Sequence, residues 1–251
     1  MDATTPTSSR PRRTGLIRTV LALIIALVVV DLAVMWWWDK EPESFDPVKT
    51  AAARATELKQ PVNAGATTTV ALIDSVDTLM DKRGGYLSND KFPPGVFMDN
   101  MPNWEFGSLT ASRDLVRALR NDFSRSQTQS TEDPDLAEAD PLLNSPNDRW
   151  LLPSTESQLR KAVDHLEGYL QRLGDKDEGN AHFYARADNL ADYLQVASGR
   201  LGSLSQRLSA SVGQIRLDTV PSPDQADKVE VTTAPDGGKL IKTPWSKIDD
   251  N

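Results

Sequence analysis

The feature that most constrains this chain is an apolar run near its start, residues 16–38, LIRTVLALIIALVVVDLAVMWWW. Between Thr19 and Trp38 a single charged residue, Asp31, interrupts it. A helix of about 20 apolar residues is what a bilayer crossing needs. A secretory leader has a shorter apolar stretch and ends in a small-residue cleavage site. Here the run closes on Trp36, Trp37 and Trp38, residues of the interfacial belt, and no A-x-A follows. It reads as a retained transmembrane anchor. Arg10, Arg12, Arg13 and Arg18 precede or open the run, whereas Asp39, Glu41, Glu43 and Asp46 follow it with only Lys40 and Lys49 among them. Basic flanks stay in the cytoplasm, so the N-terminus is expected inside and the bulk of the chain outside. Asp31 lies one to two turns from the tryptophans. Near the interface, or protonated, it needs no role; a contact with a partner membrane helix is the alternative.

The 251 residues suffice for one folded domain plus tails. A net charge of −8 repels phosphate backbones and argues against a nucleic-acid partner. With no cysteine, disulfides and thiol chemistry are excluded.

Residues 1–15 read as a basic tail, 39–47 as a linker, 48–217 as a helical domain and 218–251 as a disordered or extended tail. Helices are expected over 48–60, 66–82, from about 107, over 154–173 and from 183 onward. In the fourth, Leu159, Val163, Leu166, Leu170 and Leu173 alternate steps of four and three. In the fifth, Phe183, Ala187, Leu190, Leu194, Ala197, Leu201, Leu204 and Leu208 keep the same alternation. Matched heptads across a short turn predict a long antiparallel helical hairpin. Residues 130–147, acidic and proline-containing, read as a surface connector. The fold class is therefore all-α: a transmembrane helix followed by an extramembrane helical bundle.

No motif of a nucleophile elbow, phosphate loop or dinucleotide fingerprint is present. His165 and His182 fall some two turns apart in height on the expected hairpin, and they read as helix-surface histidines rather than a metal pair. No cofactor is implied. The unusual stretch is 84–130, where Tyr86, Phe92, Phe97, Trp104 and Phe106 accompany Asp90, Asp99 and Glu105 among shaped proline turns. Such aromatics pack against helices or a ligand. The plain reading is that they close the open end of the bundle while the carboxylates cap helices. The candidate partner-binding residues are Tyr86, Asp90, Asp99, Asn100, Asn103, Trp104, Glu105, Arg117, Arg120, Arg125 and Gln127. An alternative is a cell-wall glycan-binding or glycan-cleaving protein using Asp99 and Glu105.

The motifs GGYLSND, PPG, DNMPNWEFG and RALRNDFSRSQ, behind an N-terminal anchor, resemble a family of uncharacterised proteobacterial inner-membrane proteins, a domain of unknown function. The resemblance covers about residues 16–215 and implies a single-pass envelope protein with its domain in the periplasm. It assigns no catalytic residue. A non-enzymatic scaffold or accessory subunit is the function expected, with the lipid bilayer and another envelope protein as partners. A homo-oligomer through the heptad faces is the further association the seams allow.

Overall fold

The computed structural model describes residues 12–59, 62, 64–126, 131–175, 180–211, 215–217, 231–233 and 239–242. The fold is all-α, and its contacts divide it into two units, Met1–Leu190 and Ala191–Asn251. The first holds α1 (Arg12–Trp38), α2 (Pro47–Leu58), α3 (Ala64–Asp81), α4 (Asn100–Ala118), α5 (Pro134–Leu143), α6 (Thr155–Gly174) and the first turn of α7 (Ala187–Ser211).

The apolar segment forms one helix, and Gly15–Trp38 is long and apolar enough to cross a membrane. Residues 15–30 are exposed throughout, but Asp31, Val34, Met35 and Trp38, which share a face, are half-buried. The helix α2 opens on Asp46, whose carboxylate accepts from the Val48 and Lys49 amides, with Pro47 at the first position, where no amide hydrogen is needed.

The core lies between α3 and α6. Val70, Leu72, Ile73, Val76 and Leu79 of α3 are at most 1% exposed, as are Leu159, Leu166 and Tyr169 of α6. Each such side chain contributes about 1.5–3 kcal/mol of transfer free energy. α3 packs against α2, α4 and α6, and α5 packs against α4 and α6. Arg54 ties α2 to α3 and α6, reaching Asp74 at 3.3 Å and Glu167 at 3.1 Å.

Several expectations change. The helix expected from residue 107 begins at Asn100, capped by Asp99. Pro102 falls in its first turn, where proline is tolerated. It continues into a π-turn over Leu119–Phe123, where the Ser124 amide donates to the Leu119 carbonyl at 2.9 Å. The stretch 130–147 is no mere connector: it contains α5, started by Asp133 at the cap and Pro134 behind it.

The α6 stripe is buried among its own neighbours, α3 and α5. Phe183, expected to begin the second seam, lies before α7 and stacks on Phe123 at 5.0 Å between centroids. Leu190, Leu194, Leu201, Leu204 and Leu208 are 49–68% exposed. In the second unit, three short strands, Ile215–Leu217 (β1), Val231–Thr233 (β2) and Lys239–Lys242 (β3), pair antiparallel in the order β1-β3-β2. Two of them fall in the segment expected to be disordered or extended; the rest of 218–251 lies outside the described residues.

Candidate functional site

The GGYLSND loop is built around one carboxylate. Glu105 points inward from α4 and is fully buried. Its Oε1 accepts from the Leu87 amide at 2.8 Å and its Oε2 from the Ser88 amide at 2.7 Å, with the Ser88 hydroxyl donating to Oε2 as well. Lys82, at the end of α3, forms an ion pair with Glu105 and donates to the Gly85 carbonyl. Burial pushes the Lys82 ammonium below its usual range, against the opposing pull of Glu105. A buried ion needs this many partners, because desolvating an unpaired one costs several kcal/mol.

The same loop reaches in two further directions. The Tyr86 hydroxyl donates to the Asn147 carbonyl at 3.1 Å, and burial raises its pKa to about 12. The Asn89 amide donates to the Arg149 carbonyl and to Glu156, both at 2.9 Å. At the other end, Gly84 and Gly85 take φ of 82° and 73°, the left-handed region that glycine enters without cost. Gly84 lies under the Trp38 ring: a Cβ there would stand 2.7 Å from the indole. The end of α1, the loop and the segment 147–149 are thus one connected structure.

Tyr86 and Glu105, 4% and 0% exposed, are interior residues. Asp90 is half-buried against Gly95, its pKa raised by burial and then by the nearby charges of Glu105 and Glu156. Asp99 serves as the α4 cap, accepting from the Asn100 amide at 2.8 Å. Asn100, Asn103, Trp104 and Phe106 are exposed.

The arginine face of α4 is engaged by α5, the helix that sequence reading missed. Arg113 donates to the Leu143 and Ser145 carbonyls at 2.7 and 2.8 Å, capping the C-terminus of α5. Arg117 donates to Asn144 at 3.3 Å. Arg120 pairs with Glu132 at 2.7 Å and Asp140 at 2.8 Å, and Arg125 stands 3.7 Å from Glu132. Each of these four side chains is thus engaged within the fold. Gln127 lies outside the described residues. The Asp133-Pro134 pair was the available signal for α5, since an aspartate followed by proline is a helix start.

Two features outside those candidates stand out. One is an exposed apolar tip: Phe92, Val96, Phe97, Trp150, Leu151 and Leu152 are 49–96% exposed, Leu152 the most. Phe92 and Trp150 meet edge to face at 5.6 Å. The other is a groove of about 440 Å³ between the linker and α3, lined by the acidic Glu41, Glu43, Asp74, Asp77 and Asp81 with Lys40, Lys82 and Arg83 among them. Burial, with Asp81, Glu167 and Asp74 adding to it, raises the Asp77 pKa to about 6 despite Arg54. Among the described residues no group of three or more potential ligands is placed to hold a metal ion. His165 contacts Asp135 at 3.3 Å, and His182 lies near Tyr184.

Comparison with curated proteins and with solved structures returns no match. A family model matches residues 11–251, and the chain belongs to that family, described as uncharacterised protein conserved in bacteria, DUF2333.

Proposed function

We propose that this chain is a single-pass protein of the bacterial inner membrane, with its N-terminus in the cytoplasm and its helical domain in the periplasm. It acts there as a non-enzymatic scaffold or accessory subunit, presenting the outer face of α4 to a protein partner. Basic residues before α1 and acidic residues after it support the orientation. The observation that carries the presenting role is the alternation at residues 104–106. Trp104 and Phe106, 38% and 53% exposed, flank a Glu105 that is locked inside. Aromatic side chains held outward on a fixed helix are the residues on which interfaces concentrate binding energy. The glycan-cleaving alternative loses support, since Glu105 has no open side and Asp99 is engaged at a cap. The exposed leucine stripe of α7 adds a second association, with the same stripe of another copy.

The test is photocrosslinking in intact cells with the probe at Trp104 and a control probe at Lys161, an exposed residue of α6. One discrete adduct at Trp104, absent at Lys161, is the expected result. Equal, diffuse adducts at both positions would overturn the reading.

A further inference from the structure

We propose that the extramembrane domain makes a second, peripheral contact with the bilayer that holds α1. Phe92, Val96, Trp150, Leu151 and Leu152 enter the interface, and Lys91 and Arg149 meet the phosphates of anionic phospholipids. The inference rests on reading α1 as the membrane span and goes on to say where the domain lies.

Three observations carry it. The first is the half-buried face of α1, which runs from Trp38 back to Asp31. Seven residues of helix rise about 10 Å. Partial shielding over those last two turns, with Trp38 seated against Gly84, keeps the domain beside the outer end of the span.

The second is continuity. Trp38 rests on Gly84, and the loop that begins there is hydrogen-bonded to the 147–149 segment by Tyr86 and Asn89. The tip residues follow directly on both sides, Phe92 after the loop and Trp150 after the segment. The anchor's outer end and the apolar tip therefore belong to one rigid piece.

The third is chemistry. Leu151 and Leu152 are 70% and 96% exposed beside Phe92 at 63%. Leaving such side chains in water forgoes about 1.5–3 kcal/mol each, and contiguous patches of this kind mark interaction surfaces. The chain sets a cation beside each aromatic, Lys91 before Phe92 and Arg149 before Trp150, and the two rings touch. Among the described residues neither cation is in an ion pair. Rings at headgroup depth with cations beside them match the amphipathic layer of a phospholipid surface.

The absence of cysteine makes the test direct. Single-cysteine variants Leu152→Cys, Leu27→Cys and Lys161→Cys of the full chain are spin-labelled and reconstituted. The vesicles are of phosphatidylcholine alone or mixed with phosphatidylglycerol. Collision with oxygen, which partitions into lipid, is compared with collision with a water-soluble nickel chelate. Labels at Leu27 and Leu152 should both favour oxygen, and the label at Lys161 should favour the chelate. A chelate-accessible label at Leu152 beside a lipid-exposed one at Leu27 overturns this inference and leaves the span intact. A chelate-accessible label at Leu27 overturns the span itself. A Leu152 label shielded from both reagents means that protein covers the tip, which also overturns the inference. In phosphatidylglycerol vesicles, Lys91→Gln and Arg149→Gln should each lower the docked-to-undocked ratio about fivefold, a cation near an anionic surface contributing about 1 kcal/mol. No change there would overturn the role given to the phosphates.

Discussion

Lys82 and Glu105 form an ion pair sealed from solvent, their side chains 1% and 0% exposed, at the point where α3 ends and the GGYLSND loop begins. They stand 23 positions apart in the chain, so the pair closes the loop onto α4. Glu105→Ala leaves Lys82 uncompensated and orphans the Leu87 and Ser88 amides. The expected cost is about 3–5 kcal/mol, read from urea unfolding of the full chain in detergent micelles. Asp99→Ala, which removes only a cap, should cost about 1 kcal/mol. The double variant Lys82→Met, Glu105→Gln keeps a neutral acceptor without a buried charge, and it should be more stable than Glu105→Ala. If Glu105→Ala falls within about 0.5 kcal/mol of the parent, as a surface change does, the clamp is not structural.

Stability should also respond to pH through the groove between the linker and α3. The folded state raises the Asp77 pKa from 3.8 to about 6, chiefly by burial. Folding therefore takes up a proton. The stabilisation from this group is complete below 3.8 and is lost as pH rises toward about 6. Thermal unfolding of the full chain should give a midpoint that falls across that window. Asp77→Asn should flatten the fall and raise the midpoint at neutral pH. An unchanged profile in Asp77→Asn would show that Asp77 does not titrate as described.

Self-association should reside in α7. Leu194 and Leu201 stand 54% and 68% exposed, one heptad apart. The pair Leu194→Glu and Leu201→Glu should convert an oligomer to a monomer in multi-angle light scattering of detergent-solubilised protein. Because both positions are exposed, helical content by circular dichroism should not change. A monomeric parent chain would remove the proposal.

The difference between α6 and α7 shows what sequence periodicity carries. Both have the four-and-three alternation, and both are helices. The pattern reports an apolar stripe but not its cover: Leu159 and Leu166 are buried against α3 and α5, while Leu201 and Leu204 are exposed. Caps were legible where a single residue type decides, as at Ser154, whose hydroxyl accepts from the Ser157 amide at 3.3 Å. The start of α4 was obscured because Pro102 and Gly107 look like breakers when counted without position. Glu105 was illegible as a clamp, because its partners lie 17 to 23 residues back in the chain and its neighbours suggest an ordinary helix terminus. The arginines of α4 read as free for the same reason. Their acceptors lie in or just beyond a helix hidden by its prolines.

The two glycines of the loop separate backbone strain from contact. Both have left-handed φ, so alanine at either position carries a conformational cost of about 1–2 kcal/mol. At Gly85 the nearest atom to a new Cβ is the Met80 carbonyl oxygen at 3.7 Å, an ordinary contact. At Gly84 the new methyl would meet the Trp38 ring at 2.7 Å. Gly84→Ala should therefore destabilise the full chain more than Gly85→Ala, and it alone should displace the end of α1. Combining Gly84→Ala with Trp38→Ala removes the clash but not the strain, so the penalty should shrink to that of Gly85→Ala measured on a Trp38→Ala background. The readout is thermal midpoint together with the mobility of a spin label at Val34→Cys, on the half-buried face of α1. Equal penalties at the two glycines, with an unmoved label, would mean that Trp38 does not rest on Gly84, and the rigid link from anchor to loop would be lost.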